Sequence, residues 1–384
     1  MAKKALTTVN GAYRKIKSGF ITDAAIYRKI KKAFVTVGGV YRPFWGANPL
    51  EYYGIATPLS VARTGIPSTS IGDYALFCGG KISNNNYSPK VDAYNSNLTR
   101  TNPSDLSTAR EKHAAAFVGN YALIGGGYTY NKSYNTVEAY NNELTRSVPT
   151  ALSKARYEHA AAHVGNYALF GGGYNDSTAE RMASVETYNT SLTKGSATDL
   201  SLGRRGLFAT SVGNYALFAG DNINASTVVD AYNSSLTRTL PAQLSIGRYY
   251  GIAATSVGNY ALFGGGQTGG SISYPDCTDI VDVYNESLTK TTSIKLSSAR
   301  TEMAKTSVGN FALFAGGKDS RYTYNTVDVF DNFLTKVNVE KHLSKWRSGC
   351  TAESVGNYAL IAGGSYSGIQ TIVDVYVYNE GETA

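Results

Sequence analysis

Cysteine and histidine are nearly missing from this chain, with three of the first and four of the second among 384 residues. Cys78, Cys277 and Cys350 stand far apart at unrelated spacings, which excludes a disulfide framework and the paired-cysteine zinc motifs. No GxSxG, HExxH, Walker A or Asp-box pattern occurs, so no catalytic residue is nominated and no cofactor is expected. No apolar run approaches the about 18 to 20 residues of a membrane span, and the start MAKKALTTVNGAYRK has no apolar core of a signal peptide. The expectation is a chain made in the cytoplasm that neither inserts in a membrane nor carries an export signal.

Tyrosine and glycine, by contrast, are abundant at 30 and 40 residues, and much of that abundance is one pentapeptide written seven times. GNYAL begins at Gly72 (with Asp73), Gly119, Gly165, Gly213, Gly258, Gly309 (with Phe311) and Gly356, at intervals of 47, 46, 48, 45, 51 and 47 residues. That period fits one four-stranded blade of a propeller and not a helical repeat. An arginine precedes each copy, at Arg63, Arg110, Arg156, Arg204, Arg248, Arg300 and Arg347. A run of small residues follows GNYAL, then a variable loop, a V[DE]xY segment, LT[RK] and a Leu-Ser pair.

Period-2 alternation and Gly-Asn punctuation make these segments strands and tight hairpin turns. In the second unit strand A is HAAAFV, strand B is YALIGGG, strand C is TVEAYN and strand D runs through LTR. Alanine on strand A suits the crowded axis of a propeller, and the Tyr and Leu of strand B are expected between blades. LT[RK] occurs six times, at Leu98, Leu144, Leu192, Leu236, Leu288 and Leu334, and the seventh unit lacks it. Residues Glu51 to Ser60 lie where a strand D belongs and end in Leu-Ser, so they are expected to complete the seventh blade. The fold class expected is all-β, a seven-bladed propeller over 47–384 closed by an N-terminal strand.

The pattern resembles the kelch family over residues 51 to 379. The resemblance rests on the glycine pairs (Gly126 and Gly127, Gly172 and Gly173, Gly265 and Gly266), on the strand C tyrosine (Tyr94, Tyr140, Tyr188, Tyr232, Tyr284, Tyr376, with Phe330 in unit six), and on the arginine before strand A. One departure is that the leucine of LT[RK] stands where kelch units carry a strand D tryptophan. The resemblance implies a β-propeller with a binding surface, on a fold that hosts enzymes and adaptors alike.

Charge is unevenly placed. Residues 1–46 hold ten basic side chains and only Asp23 as an acid, a net +9 against +8 for the whole, which leaves the remainder at −1. GAYRKIKSGFIT, AIYRKIKKAFVT and GVYRPFW repeat Tyr-Arg at Tyr13-Arg14, Tyr27-Arg28 and Tyr41-Arg42, 14 residues apart. Alternation here suggests a small hairpin or meander turning at Asn10-Gly11, Ser18-Gly19 and Gly38-Gly39, too small to bury a core alone. It is expected to dock on a partner or to trimerise, and regular β alternation fits docking better than contact with nucleic acid. This segment is similar to the short leaders of tailed-phage minor virion proteins, which implies an anchor to other virion proteins.

Two groups of residues are candidates for function. The B–C loops are the variable part, and they carry Tyr87, Tyr128, Tyr130, Tyr134, Tyr174, Tyr274, Tyr322, Tyr324 and Tyr366, rigid aromatic faces suited to stacking on sugar rings or to protein contact. The seven arginines either ring the channel mouth as an anion trap or pair with the strand C acids Asp92, Glu138, Glu186, Asp230, Asp282, Asp328 and Asp374; pairing is expected, because isolated buried charge is costly. Metal is not expected: His113 and His159 share a repeat position that Ile66, Leu207, Met303 and Cys350 fill elsewhere, and His159 and His163 stand about 13 Å apart along a strand. The functional expectation is a non-enzymatic phage adhesion protein on the virion, anchored by 1–46 and binding a host-surface glycan or protein. The alternatives are a kelch-type sugar-active isomerase or oxidase, and an intracellular interaction scaffold.

Overall fold

Each GNYAL copy turns one strand back on itself. In the second unit Gly119 takes a left-handed φ of 54° at the first central position of the two-residue turn, the type II′ requirement that glycine meets without strain. Strand A, Ala114–Val118, thereby pairs with strand B, Tyr121–Gly125, and strand C, Val137–Asn141, and strand D, Arg146–Ser147, follow in antiparallel order. This computed structural model describes residues 49–221, 225–271, 273–291 and 294–379, with the backbone of 8–9, 12–13, 20–23, 26–29, 32–37 and 40–46.

Seven such four-stranded sheets make a seven-bladed β-propeller, and every regular element among the described residues is a strand. The innermost strands are Ser68–Ile71, Ala114–Val118, Ala160–Val164, Phe208–Val212, Ala253–Val257, Ala304–Val308 and Thr351–Val355. Blade 7 takes its outer strand from the other end of the chain: Leu50–Ile55 pairs antiparallel with Val373–Tyr378. The ring is closed within one sheet, so a stable circle forms without an open edge at the seam.

Seven hydrophobic clusters fill the seven inter-blade seams. Between blades 2 and 3, Leu123 and Tyr121 of one strand B meet Ala168 and Phe170 of the next. Between blades 6 and 7, Leu50 and Tyr52 of the closing strand join the cluster. The LT[RK] leucines do not lie on strand D. All six are left-handed turn residues between strands C and D, with φ from 59° to 62°, and each packs half-buried against a seam cluster. A left-handed leucine costs on the order of 1 kcal/mol. Two things offset it: the apolar contact and an Asx turn, in which Asn141 Oδ1 accepts from the N–H groups of Glu143 and Thr145.

The seven repeat arginines form a second structural ring. Each is wholly buried and pairs with the strand C acid of its own blade, as in Arg110 to Glu138 at 2.5 Å, Arg156 to Glu186 at 2.7 Å and Arg347 to Asp374 at 2.6 Å. The same carboxylates accept the backbone N–H of the Leu-Ser serine, for example Ser153 to Glu186 at 2.8 Å and Ser245 to Asp282 at 3.0 Å. The crossover from one blade is thus pinned to strand C of the next. Burial opposes ionisation of Glu138, but Arg110 and the Ser107 N–H hold its pKa below the usual value. In blade 7, which lacks LT[RK], the Tyr52 hydroxyl donates to Asp374 at 2.7 Å.

The unit Met1–Pro49 is separate, so the division falls just past the expected boundary at residue 46. Its described residues form three two-stranded hairpins, Thr8–Val9 with Ala12–Tyr13, Phe20–Asp23 with Ile26–Lys29, and Lys32–Val37 with Val40–Gly46. Of the two forms expected, the described backbone takes the hairpin: Tyr13, Tyr27 and Tyr41 each sit in a different two-stranded sheet, and the expected turn residues Asn10-Gly11, Ser18-Gly19 and Gly38-Gly39 lie outside the described residues. Arg28 and Arg42 lie in the second and third hairpins, while Arg14 falls outside the described residues.

Candidate functional site

One face of the propeller carries the B–C loops. It is fixed there by backbone pairing: in five blades the residue after the arginine bridges to the start of the B–C loop (Thr64 with Lys81, Glu111 with Tyr128, Tyr157 with Tyr174, Thr301 with Lys318, Ser348 with Ser365), and in blade 5 Tyr250 bridges to Gln267. Several loops are themselves hairpins, including Tyr128–Thr129 with Lys132–Ser133 and Gln267–Gly270 with Pro275–Cys277. Sequence variation is therefore carried on extensions of regular geometry. The glycine pair makes the approach possible, since a Cβ on Gly126 would stand 2.6 Å from the Arg156 carbonyl of the next blade.

The nine predicted tyrosines sort into three groups. Tyr130, Tyr274, Tyr322 and Tyr366 are more than half exposed, at 65%, 71%, 64% and 56%. Tyr134 and Tyr324 are held inside their own loops, Tyr134 by Thr129 at 3.1 Å and Tyr324 by Asp319 at 2.6 Å, while Tyr87 is half-buried. Tyr128 and Tyr174 belong to a continuous aromatic shelf with Tyr157: ring centroids are 4.7 Å apart for Tyr128 and Tyr157 and 5.8 Å for Tyr157 and Tyr174. Lys112 lies over Tyr128 and Tyr157, and the Arg205 guanidinium lies 4.3 Å from the Tyr174 ring centroid.

That shelf borders the mouth of the axial channel, a cavity of about 330 Å³ lined by the segments leading into strand A. The arginine ring does not reach it, because all seven guanidinium groups are turned into the blades. The mouth is built from one left-handed residue per blade, Gly65, Lys112, Glu158, Gly206, Gly251, Glu302 and Gly349. Backbone bonds run between neighbours of this ring: Glu158 N–H to Lys112 O at 3.0 Å, Gly206 to Glu158 at 2.7 Å, Gly349 to Glu302 at 3.0 Å and Gly65 to Gly349 at 3.3 Å. Three blades accept the strain of a side chain here, and those side chains are charged. Lys112 pairs with Glu158 at 2.7 Å, and Glu302 with Lys318 at 2.9 Å. Tyr250 adds a phenol whose pKa is raised by burial and by Glu302, Glu158 and Glu111. Burial also raises Glu111, against the pull of Lys112 and Lys81.

On the opposite side of the same face, Trp346 is 53% exposed and meets Tyr366 edge-on at 5.9 Å. Sequence reasoning passed over Trp346. The signal was present: the residue before the repeat arginine is Ala62, Ala109, Ala155, Gly203, Gly247 and Ala299 in six blades and tryptophan in the seventh.

The remaining titratable candidates are occupied in packing. His113 and His159 are buried at the seams, and burial with the neighbouring arginine lowers the His159 pKa to about 3. Among the described residues no group of three His, Cys, Asp or Glu side chains is placed to hold a metal ion. Burial pushes the Cys78 thiol up to about 12 and the Cys277 thiol to about 11, which makes both poor nucleophiles. No protein-family model matches the chain, and no curated protein matches it.

Proposed function

We propose that the protein is a binding protein that presents its B–C loop face to a glycan, with the N-terminal hairpins attaching it to a larger particle. The observation that carries this is the distribution of exposed aromatic rings. Of the eight exposed aromatic side chains among the described residues (Tyr53, Phe117, Tyr130, Tyr274, Tyr322, Phe333, Trp346, Tyr366), five stand on the loop face. Exposed Tyr and Trp with polar loop neighbours supply flat stacking surfaces at low entropic cost, the chemistry that recognises pyranose rings.

The finer reading is a virion adhesin that binds a host-surface sugar. Its support is the combination of two parts: a basic segment whose sequence repeats Tyr-Arg three times, and a closed propeller whose variable loops stand on one face. Kelch-like spacing of the glycine pair, strand C tyrosine and arginine agrees with a displayed scaffold of this kind. Two experiments test it with the full chain. A glycan array should yield a saturable sugar ligand; binding to a protein and to no glycan would replace the sugar reading. Copurification with phage particles should be lost when residues 1–46 are removed, and retention would refute the anchor.

A further inference from the structure

The axial channel consists of two chambers in series. Besides the loop-face mouth there is a second, about 230 Å³, lined only by strand A residues and lying toward the GNYAL turns. Ser68, Ala115, Ala161, Ala209, Ala254 and Lys305 border both chambers. The pairing registers put these at one height, one per blade, with Ala352 as the seventh. The channel wall at this level is therefore six small residues and one lysine.

Two residues further along each strand, toward the turns, the ring is Ser70, Phe117, His163, Ser211, Ser256, Ser307 and Ser354, five hydroxyls among seven positions. Lys305 makes no hydrogen bond or ion pair among the described residues. The counter-charge that acts on it is Glu353 of blade 7, which attracts it electrostatically without forming an ion pair, and whose Oε1 accepts the Ser354 N–H at 3.2 Å. Burial lowers the Lys305 pKa and raises that of Glu353 to about 7, so the carboxyl is a weak counter-charge near neutrality. Lys305 is half-buried in the channel wall, and its ammonium stands unpaired at a level where five other blades place alanine. The chamber has more than ten times the about 10 to 15 Å³ that one water needs.

We propose that the turn-side chamber binds a small oxyanion, a phosphate, sulfate or carboxylate group, through the Lys305 ammonium and the serine hydroxyls that line the chamber with it. An oxyanion is the ligand that accepts from both donor types and supplies the missing negative charge. The site lies at the far end of the channel from the loop face and does not depend on the glycan reading.

The test is calorimetric titration and thermal melting of the full chain with inorganic phosphate and with sulfate, at constant ionic strength made up with chloride. Saturable binding and a rising melting temperature are expected for the natural chain, with affinity weaker by about tenfold or more in Lys305→Ala, the loss of one charge-assisted contact. Alanine already occupies this ring position in blades 2, 3, 4, 5 and 7, so the variant should fold; Lys305→Met, which keeps the side-chain bulk, should behave alike. Glu353→Gln should tighten binding by removing the competing carboxylate. Equal phosphate responses in the natural chain and Lys305→Ala would overturn the proposal. So would no response in the natural chain with Lys305→Ala and Glu353→Gln equally destabilised, which would make the two residues an internal pair.

Discussion

Asp282→Ala removes one carboxylate from one blade and should be among the most damaging single changes available. Asp282 is wholly buried, accepts from Arg248 at 2.6 Å, and also takes the Ser245 N–H at 3.0 Å and hydroxyl at 2.5 Å. The variant leaves the Arg248 guanidinium at 0% exposure with the carbonyls of Phe263 and Ile280 but no carboxylate partner, and removes the acceptor of the Ser245 amide. Breaking a buried pair from one side costs about 3 to 5 kcal/mol. For the unit Leu50–Ala384, at about 2.1 cal/mol/K of unfolding entropy per residue, a loss of about 4 kcal/mol lowers the melting temperature by about 6 °C. Lys295→Ala is the control: its partner Asp279 is 3.1 Å away but the lysine is 69% exposed, so melting should not move. Arg248→Met with Asp282→Leu should recover much of the loss, since neither charge is then buried alone. Differential scanning calorimetry checks all three. A shift under about 1 °C for Asp282→Ala, or a double variant no better than the single, would refute the claim that the arginine ring is a buried structural network.

Deleting residues 51–60 opens the ring: it removes most of the closing strand and the buried Leu59, and should lower melting by more than about 5 °C in the same calorimeter. His159→Leu, which copies Leu207 of blade 4, should flatten the acid side of the stability profile. Burial lowers the His159 pKa to about 3 in the folded chain against an ordinary 6.5, so its contribution is fully present above 6.5 and lost as pH falls toward 3, the loss reaching about 2 kcal/mol at pH 5. Urea midpoints at pH 7 and pH 5 should therefore lie closer together in the variant than in the natural chain.

What could be read from the sequence was whatever every blade repeats. The Arg63-to-Asp92 pairing, the seam role of Tyr121 and Leu123, and the closing strand each follow from a physical need met seven times over, so the repeat itself displays the role. The LT[RK] leucines were misplaced on strand D because an Asx turn that holds Leu98 left-handed has the same polar-apolar spelling as a strand end. The candidate site was harder, since its side chains stand where the repeat is broken. Trp346 in place of Ala or Gly and Lys305 among five alanines and a serine are single departures, and Lys112, Glu158 and Glu302 replace the glycine of the other four blades; none of these shows in a reading that looks for what the blades share. Among the nine tyrosines, loop position alone could not separate the exposed Tyr274 from Tyr324, whose hydroxyl is tied to Asp319.

The most direct test of the binding account is a comparison of the natural chain with Trp346→Ala plus Tyr366→Ala on a glycan array and on candidate host cells. Both side chains are more than half exposed, so melting should be unchanged. The account predicts a saturable glycan ligand whose affinity falls about 30-fold or more in the double variant, the loss expected of an aromatic hot spot. Glycan binding that survives unchanged in this variant and in Tyr130→Ala, Tyr274→Ala and Tyr322→Ala would contradict it.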